Sequence, residues 1–154
     1  MRKNILTRVE GIDHIIQVTL ENVEKNPVFV ADIFSAISDA GVNIDMISSV
    51  ILEDEMRIDF TCDDTDQKKL NVAIENLKYR HPRIVVKSSK NVGKLVVEGA
   101  SMKEEVGVAS EIFNILGNNL IPFSQVTTSE VSISYVIEKN YLELAVQKIK
   151  EAIE

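Results

Sequence analysis

The sequence predicts an α+β protein built from two consecutive copies of one βαββαβ unit. Three observations lead to this class: an internal repeat, apolar stripes at helical spacing, and short strands in which apolar and polar residues alternate. The chain has 154 residues, of which 45% are hydrophobic and 27% charged. Such a composition is typical of a globular protein long enough for two small domains.

The first helix of each copy reveals the repeat. Residues 28–37 align with residues 107–116 at a constant spacing of 79 positions. Within each segment, apolar side chains recur at i, i+3, i+4 and i+7, so one face of each helix is expected to be buried. The stripes consist of Val30, Ile33, Phe34 and Ile37 in the first copy, and of Ala109, Ile112, Phe113 and Leu116 in the second.

Three strands are predicted in each copy, one before the first helix and two after it. One precedes the helix, at residues 16–20 and 95–98, and another follows it, at 42–48 and 121–127. The third has the clearest alternation, which assigns one of its faces to the core. The apolar positions of this third strand are Met56, Ile58, Phe60 and Cys62 in the first copy, and Val131, Ile133, Tyr135 and Ile137 in the second. The spacing falls to 75 here because the polar residues 53–55 lengthen a loop of the first copy.

A second helix closes each copy. Its apolar stripe is Leu70, Ala73, Ile74 and Leu77 in the first copy, and Leu142, Ala145, Val146 and Ile149 in the second. We expect Asp64 or Thr65 to cap the first of these helices and Asn140 to cap the second. Residues 83–87 add a final strand to the first copy, and residues 88–91 form a polar connector. The order of elements is that of the ferredoxin-like βαββαβ motif, with antiparallel sheets and helices on one face.

The second copy ends before a final strand could form. The segment at residues 4–9 reads as a strand, and we expect it to pair into that open sheet edge. The predicted domains are therefore residues 14–88, and residues 92–154 together with 4–9.

The charge balance and apolar pattern narrow the possible partners. The chain has 17 basic and 24 acidic residues and a net charge of −7, which disfavours binding to nucleic acids and anionic membranes. No apolar run approaches the roughly 20 residues of a membrane span, and the N-terminus lacks a signal-peptide core, so a cytoplasmic location is expected. The single cysteine, Cys62, cannot form an internal disulfide.

The sequence does not predict a catalytic site. Its glycines lack the spacing of a phosphate-binding loop. His14, His81 and Cys62 fall on separate elements and do not predict a zinc site, and the acidic segment 63–66 is expected to cap a helix rather than hold a cation. We therefore predict no catalytic residue, no metal ligand and no cofactor for this chain.

The candidate ligand site lies in the first copy. Pro27 suits the first turn of a helix, and the amides of residues 28–30 at the positive end of that helix could receive a carboxylate. Asp45, which shares a strand face with Asn43, could receive an ammonium group near that helix end. This combination describes a site for an amino acid, although both side chains would also suit a solvated strand. The equivalent second-copy positions of Gly41, Asn43 and Asp45 are Leu120, Pro122 and Ser124, so the polar pair is missing there.

Two strings of residues resemble a known family. Residues 40–48, Ala-Gly-Val-Asn-Ile-Asp-Met-Ile-Ser, resemble the Ala-Gly-Ile-Asn-Ile-Asp-Met-Ile-Ser strand of the tandem ACT regulatory region of aspartate kinases. Residues 128–137 resemble the Thr-Ser-Glu of that family and the alternating strand that follows it. The resemblance extends from Leu6 to about Ile153.

The resemblance implies a regulatory module that binds an end-product amino acid, with lysine slightly preferred to threonine. Such a module would restrain a kinase that uses ATP to phosphorylate the aspartate side-chain carboxylate, with the catalytic domain as its partner. The resemblance also implies a homodimer assembled through the sheets. The effector-binding positions that it carries over are Asn26, Pro27, Val28, Phe29, Val30, Asn43, Ile44 and Asp45. The Pro-Gly pair of the family is Pro27-Val28 here and Val106-Gly107 in the second copy, so neither copy retains both residues.

Three alternatives compete with this interpretation. A ligand-free structural dimerisation module is favoured by Val28, which replaces a glycine that would let a ligand approach the backbone. An RNA-binding sheet would need exposed aromatic and basic residues, yet Phe60 and Tyr135 are assigned to core faces. An acylphosphatase-like enzyme would need an arginine in the loop at residues 25–27, where none occurs.

Overall fold

The computed structural model describes residues 6–100, 102 and 106–153, and the chain separates into two compact units. The first unit is His14–Lys90, and the second combines Met1–Asp13 with Asn91–Glu154. Each unit holds a four-stranded antiparallel sheet and two α-helices. The predicted fold class is confirmed.

The first unit consists of β2 (Ile15–Val23), α1 (Pro27–Asp39), β3 (Asp45–Ile51), β4 (Met56–Asp63), α2 (Gln67–Arg80) and β5 (Val85–Ser89). Its strand order is β3-β4-β2-β5, which leaves β3 at one edge. The second unit consists of β1 (Arg8–Ile12), β6 (Val92–Glu98), α3 (Val108–Asn118), β7 (Phe123–Thr128), β8 (Ser132–Glu138) and α4 (Lys139–Ile153). Its strand order is β1-β6-β8-β7. The helices of the described residues are all too short or too polar to cross a bilayer.

The N-terminal strand completes the second unit, as predicted. β1 pairs antiparallel with β6, so that Arg8 lies opposite Glu98 and Ile12 opposite Lys94. The strand occupies residues 8–12 rather than 4–9, and residues 4 and 5 lie outside the described part of the chain.

Three local predictions are wrong. β5 continues to Ser89 and β6 begins at Val92, so the connector between these strands has two residues instead of the predicted four. A 3-10 turn at Asp64–Asp66 precedes α2, and its cap is Asp63, whose carboxylate accepts a hydrogen bond from the Thr65 amide. Asn140 lies inside α4, which begins one residue earlier.

The two cores have the same plan. In the first unit, Ile33 and Ile37 of α1 and Leu70 of α2 belong to one buried cluster with the strand residues Val18 and Phe60. The equivalent cluster of the second unit contains Ile112, Leu116, Ala145, Leu95 and Tyr135. Because the helical stripes and the alternating strand faces meet in these clusters, the repeat read from the sequence is also a repeat of the packing.

The end of α1 and the end of α3 share one hydrogen-bonding pattern. The Val42 amide donates to the Ile37 carbonyl over 3.3 Å, and the Ile121 amide donates to the Leu116 carbonyl over 2.9 Å. This pattern places the preceding residue in the left-handed region. That residue is Gly41 (φ +87°) in the first unit and Leu120 (φ +53°) in the second.

We predict that Leu120→Gly stabilises the protein by about 0.5–1 kcal/mol, because a side chain with a Cβ is strained at positive φ. The Leu120 side chain is 84% exposed, so little packing is lost with it. Urea unfolding measures the effect. The matched Gly41→Ala variant should lose about 1 kcal/mol, and equal stabilities of the Leu120→Gly variant and the parent would contradict the prediction.

A buried hydroxyl distinguishes the second core. Tyr135 is fully buried, and its hydroxyl has no hydrogen-bond partner among the described residues. Its ring packs edge-on against Phe113 and Phe123, with centroids 5.4 and 5.5 Å away. The equivalent residue of the first unit is Phe60, which carries no hydroxyl. Burial therefore raises the pKa of Tyr135 and leaves its polar atom without compensation.

We predict that Tyr135→Phe stabilises the protein by about 1 kcal/mol, because an unsatisfied buried hydroxyl costs about 1–3 kcal/mol. The reverse change at the equivalent position, Phe60→Tyr, should destabilise the protein. Chemical denaturation of both variants tests this, and a loss of stability in Tyr135→Phe would show that the hydroxyl has a partner in solution.

Candidate functional site

The first group of predicted site residues, 26–30, forms the start of α1. Asn26 caps the helix, because its Oδ1 accepts a hydrogen bond of 2.9 Å from the Val28 amide. Its carbonyl accepts another, of 3.0 Å, from the Val30 amide. Pro27 occupies the first helical position, as predicted. Two of the three amides expected to receive a carboxylate are therefore already bonded within the chain, and within the described structure only that of Phe29 is available.

The second group, 43–45, leads into β3. Asn43 and Asp45 are exposed, whereas Ile44 between them is half-buried, so the predicted alternation of faces holds. The Asn43 amide donates to Asp66 Oδ2 over 3.3 Å, and the Asp45 carbonyl accepts a hydrogen bond of 3.3 Å from the Thr61 hydroxyl. These bonds fix the backbone of the group from two directions.

The register of the sheet separates the two groups. Asp45 pairs with Thr61 of β4, and Thr61 pairs with Gln17 near the start of β2. The 26–30 group follows the opposite end of β2, beyond Val23. At about 3.3 Å per residue, the six steps from Gln17 to Val23 span about 20 Å. Asp45 is therefore not beside the start of α1, and the predicted pocket does not form within one unit.

A cavity of about 230 Å³ lies beside the 26–30 group. Three segments line it: the end of β2 with the start of α1, the β3–β4 hairpin at residues 54–55, and the turn from α2 to β5 at residues 80–84. Of the eight predicted site residues, Phe29 lines it. The charged residues of the lining were not predicted from the sequence, because they come from three segments that only the fold brings together.

Asp32 of α1 bonds to residues at the end of α2, next to this cavity. Its carboxylate accepts bonds from Arg80 Nη1 at 2.8 Å and from His81 Nε2 at 2.7 Å. The His81 ring also packs on Phe29, with centroids 4.1 Å apart, and its side chain is only 18% exposed. The hydrogen bond from His81, followed by the charge of Arg80, holds the pKa of Asp32 below its usual value of 3.8. His81 also takes the C-cap position of α2, where its amide donates to the Leu77 carbonyl over 2.8 Å.

We predict that Asp32 stabilises the protein at neutral pH and that this contribution is lost in acid. A carboxylate whose pKa is lower in the folded state favours folding above its unfolded pKa, and the benefit disappears as pH falls through the folded pKa. Urea unfolding from pH 7 to 2 should show Asp32→Asn less stable than the parent, with a difference that shrinks below about pH 4. Glu75→Gln, at an exposed position of α2, is the control. A difference that is constant with pH would contradict the assignment.

Two other groups of residues have structural roles. Cys62 is a buried free thiol, and burial together with the nearby carboxylates of Asp66 and Asp63 raises its pKa to about 11, which makes it unreactive. The ligand atoms of His14, Asp63 and Asp64 lie within 4.8 Å of one another. Asp63 already accepts hydrogen bonds from Thr65 and is bonded to His14 Nδ1 at 3.0 Å, so the trio holds the turn before α2.

The start of α3 differs from the start of α1. Gly107 (φ +92°) precedes α3, and none of the described side chains caps this helix. A cavity of about 240 Å³ is lined there by residues that include Gly107, Val108 and Ser129. Among the described residues, this helix start therefore lacks the side-chain hydrogen bond that Asn26 supplies to α1, and the polar residues of the strand group are absent from the second unit.

Two segments of the chain match a known protein family. Residues 29–81 and 95–153 each match the ACT domain family, and together these segments cover most of the chain. The chain belongs to the ACT-domain family. Its two ACT domains coincide with the two structural units, since each matched segment lies within one of them.

Curated relatives of this chain are named aspartokinase. An aspartokinase from Helicobacter pylori is 33% identical over 134 residues, which are 86% of this chain and 33% of that protein. The chain thus spans about a third of the length of this curated relative.

Solved structures share the fold over nearly the whole chain. The ligand-free regulatory subunit of aspartate kinase from Thermus thermophilus has a TM-score of 0.88 at 23% identity, over 97% of this chain and 99% of that one. Escherichia coli aspartokinase III in complex with lysine and aspartate, in its T-state, has a TM-score of 0.73 at 17% identity, over 97% of this chain and 33% of the enzyme. At these identities the likeness is one of fold.

Proposed function

We propose that this chain is the amino-acid-sensing regulatory module of an aspartate kinase. The observation that carries the proposal is the match of the entire pair of ACT domains to a regulatory subunit of such a kinase, over 97% of one chain and 99% of the other. In this role the module itself does no chemistry. It acts in the cytoplasm on a catalytic domain that phosphorylates the aspartate side chain with ATP.

Lysine is the preferred effector, with threonine as the alternative. The solved complex of Escherichia coli aspartokinase III contains lysine, which supports this choice by analogy. The exposed carboxylate of Asp45 and the net charge of −7 both favour a ligand with an additional positive charge. The module would regulate by binding the effector with different affinity in two arrangements of the protein.

A homodimer would reunite the two groups of site residues. A two-fold axis beside the β3 edge reverses the direction of the partner sheet, so the end of one sheet lies beside the start of the other. The 26–30 group of one protomer then approaches the 43–45 group of its partner. β3 supports this arrangement because it is an edge strand with exposed apolar side chains: Ile47 is 54% exposed, Val50 53% and Ile51 70%.

We predict that L-lysine binds the full chain saturably and raises its melting temperature. A ligand that binds only the folded state stabilises it by about 2.7 kcal/mol at 100 times its dissociation constant. Calorimetry and thermal shift measure both effects, with L-threonine in parallel. Asp45→Asn should weaken binding at least about tenfold through loss of a charge-assisted hydrogen bond. Glu75→Gln, which changes an exposed position of α2, should bind as the parent does.

The dimer is tested with Val50→Lys, which places a charge on the β3 edge. This variant should be monomeric by light scattering and should lose effector affinity without unfolding. Full affinity in a monomer would contradict a site shared by two protomers. Saturable binding by neither amino acid would favour the ligand-free dimerisation module, an alternative that the Asn26 cap on the α1 amides supports.

A further inference from the structure

The cavity of about 230 Å³ beside α1 has an unbalanced set of charges. Its lining residues include three acidic ones, Glu24, Asp54 and Glu55, and the basic Arg83. Throughout residues 6–100, none of these four side chains takes part in a hydrogen bond or ion pair. The other basic residues of the lining, Arg80 and His81, are both bonded to Asp32. The cavity therefore presents three unpaired negative groups and one unpaired positive group.

The floor of the cavity is apolar. Val23 and Ile84 are buried beneath it, at 0% and 5% exposure, and the half-buried ring of Phe29 forms one side. A volume of about 230 Å³ suits a small metabolite rather than a nucleotide or a drug-sized ligand. A flexible hydrocarbon stem with charged ends matches this combination, because its methylenes can cover the apolar floor while its charged groups reach the rim.

The walls of the cavity are held in place without a ligand. Lys25 Nζ donates to the Leu52 carbonyl over 2.9 Å and to the Glu53 carbonyl, which ties the β3–β4 hairpin to the segment before α1. Asn22 Nδ2 donates to the Arg83 carbonyl over 3.1 Å, which ties the end of β2 to the turn after α2. The three lining segments are therefore connected to one another, and little ordering is needed on binding.

We propose that this cavity is a binding site for a basic α-amino acid such as lysine, arginine or ornithine. The Arg83 guanidinium pairs with the ligand carboxylate, in the geometry that arginine offers to carboxylates. Glu24, Asp54 and Glu55 receive the ammonium groups or the guanidinium group. The excess of two negative charges over the single cation selects ligands with a net positive charge. This site lies within one protomer, at the end of the sheet opposite Asp45.

The test is calorimetric titration of the full chain and three variants with L-lysine, L-arginine and L-ornithine. We expect saturable binding that weakens at least about tenfold in Glu55→Gln and in Arg83→Gln, since each removes one charge-assisted bond. Glu75→Gln and Lys78→Gln change exposed charges of α2 outside the cavity and should bind as the parent does. Circular dichroism establishes that every variant is folded.

One analogue of lysine separates the two halves of the site. Cadaverine, which lacks the carboxylate, should lose no affinity in Arg83→Gln, because this change removes a positive charge that repels a dication, whereas lysine should bind more weakly. An equal loss of affinity for cadaverine and lysine in Arg83→Gln would overturn the assignment of Arg83 to the carboxylate. No saturable binding of any basic amino acid would overturn the proposal entirely.

The same titrations distinguish this cavity from the effector site proposed above. Loss of lysine binding in Asp45→Asn, with Glu55→Gln and Arg83→Gln unaffected, would reject the cavity and support the shared site. The opposite pattern would locate binding in the cavity and reject the role of Asp45. Two binding events, each sensitive to its own variants, are expected if both sites exist.

Discussion

The antiparallel register of β2, β4 and β3 is the constraint on which the function of the first unit depends. The start of β3, the end of β4 and the start of β2 lie at one end of the sheet. The residues that follow β2 therefore lie at the opposite end of the sheet. A shift of register by one residue would move every buried side chain of a strand to the wrong face. The separation of Asp45 from the start of α1 is therefore as firmly fixed as the core itself, and a ligand that needs both must be bound by two copies.

Within this common framework, single side chains give the two units different properties. The Asn26 side chain caps the start of α1, whereas no side chain within the described part of the second unit caps α3 after Gly107. Phe60 fills the first core with hydrocarbon only, and Tyr135 adds a buried hydroxyl at the equivalent position of the second. Gly41 relieves a strained turn that Leu120 retains. The duplicated fold has thus kept its packing while its helix ends and turns have diverged.

Most of this fold could be predicted from the sequence because the spacing of apolar residues differs between helices and strands. Helical stripes such as Ile33 and Ile37, and the alternation along β4, follow directly from burial of one face. Helix caps were less predictable, since Asp63 rather than Asp64 or Thr65 caps the turn before α2. The site was least predictable. Residues close in sequence, such as Asn26 and Asn43, are separated by the register, and Glu24, Glu55 and Arg83 meet only because three loops converge at one end of the sheet.

The cavity and the 26–30 group share one segment of backbone, which has a thermodynamic consequence for the proposed arrangement. Glu24 and Phe29 line the cavity, and the residues between them carry the Asn26 cap that a carboxylate would have to displace. A cavity ligand that favours the arrangement of this segment needed by the effector would raise the affinity for an effector at the start of α1. Linkage then requires the effector to raise affinity for the cavity ligand by the same factor. Because each protomer of a two-fold dimer would supply its own cavity, occupancy of both would favour the same dimer arrangement.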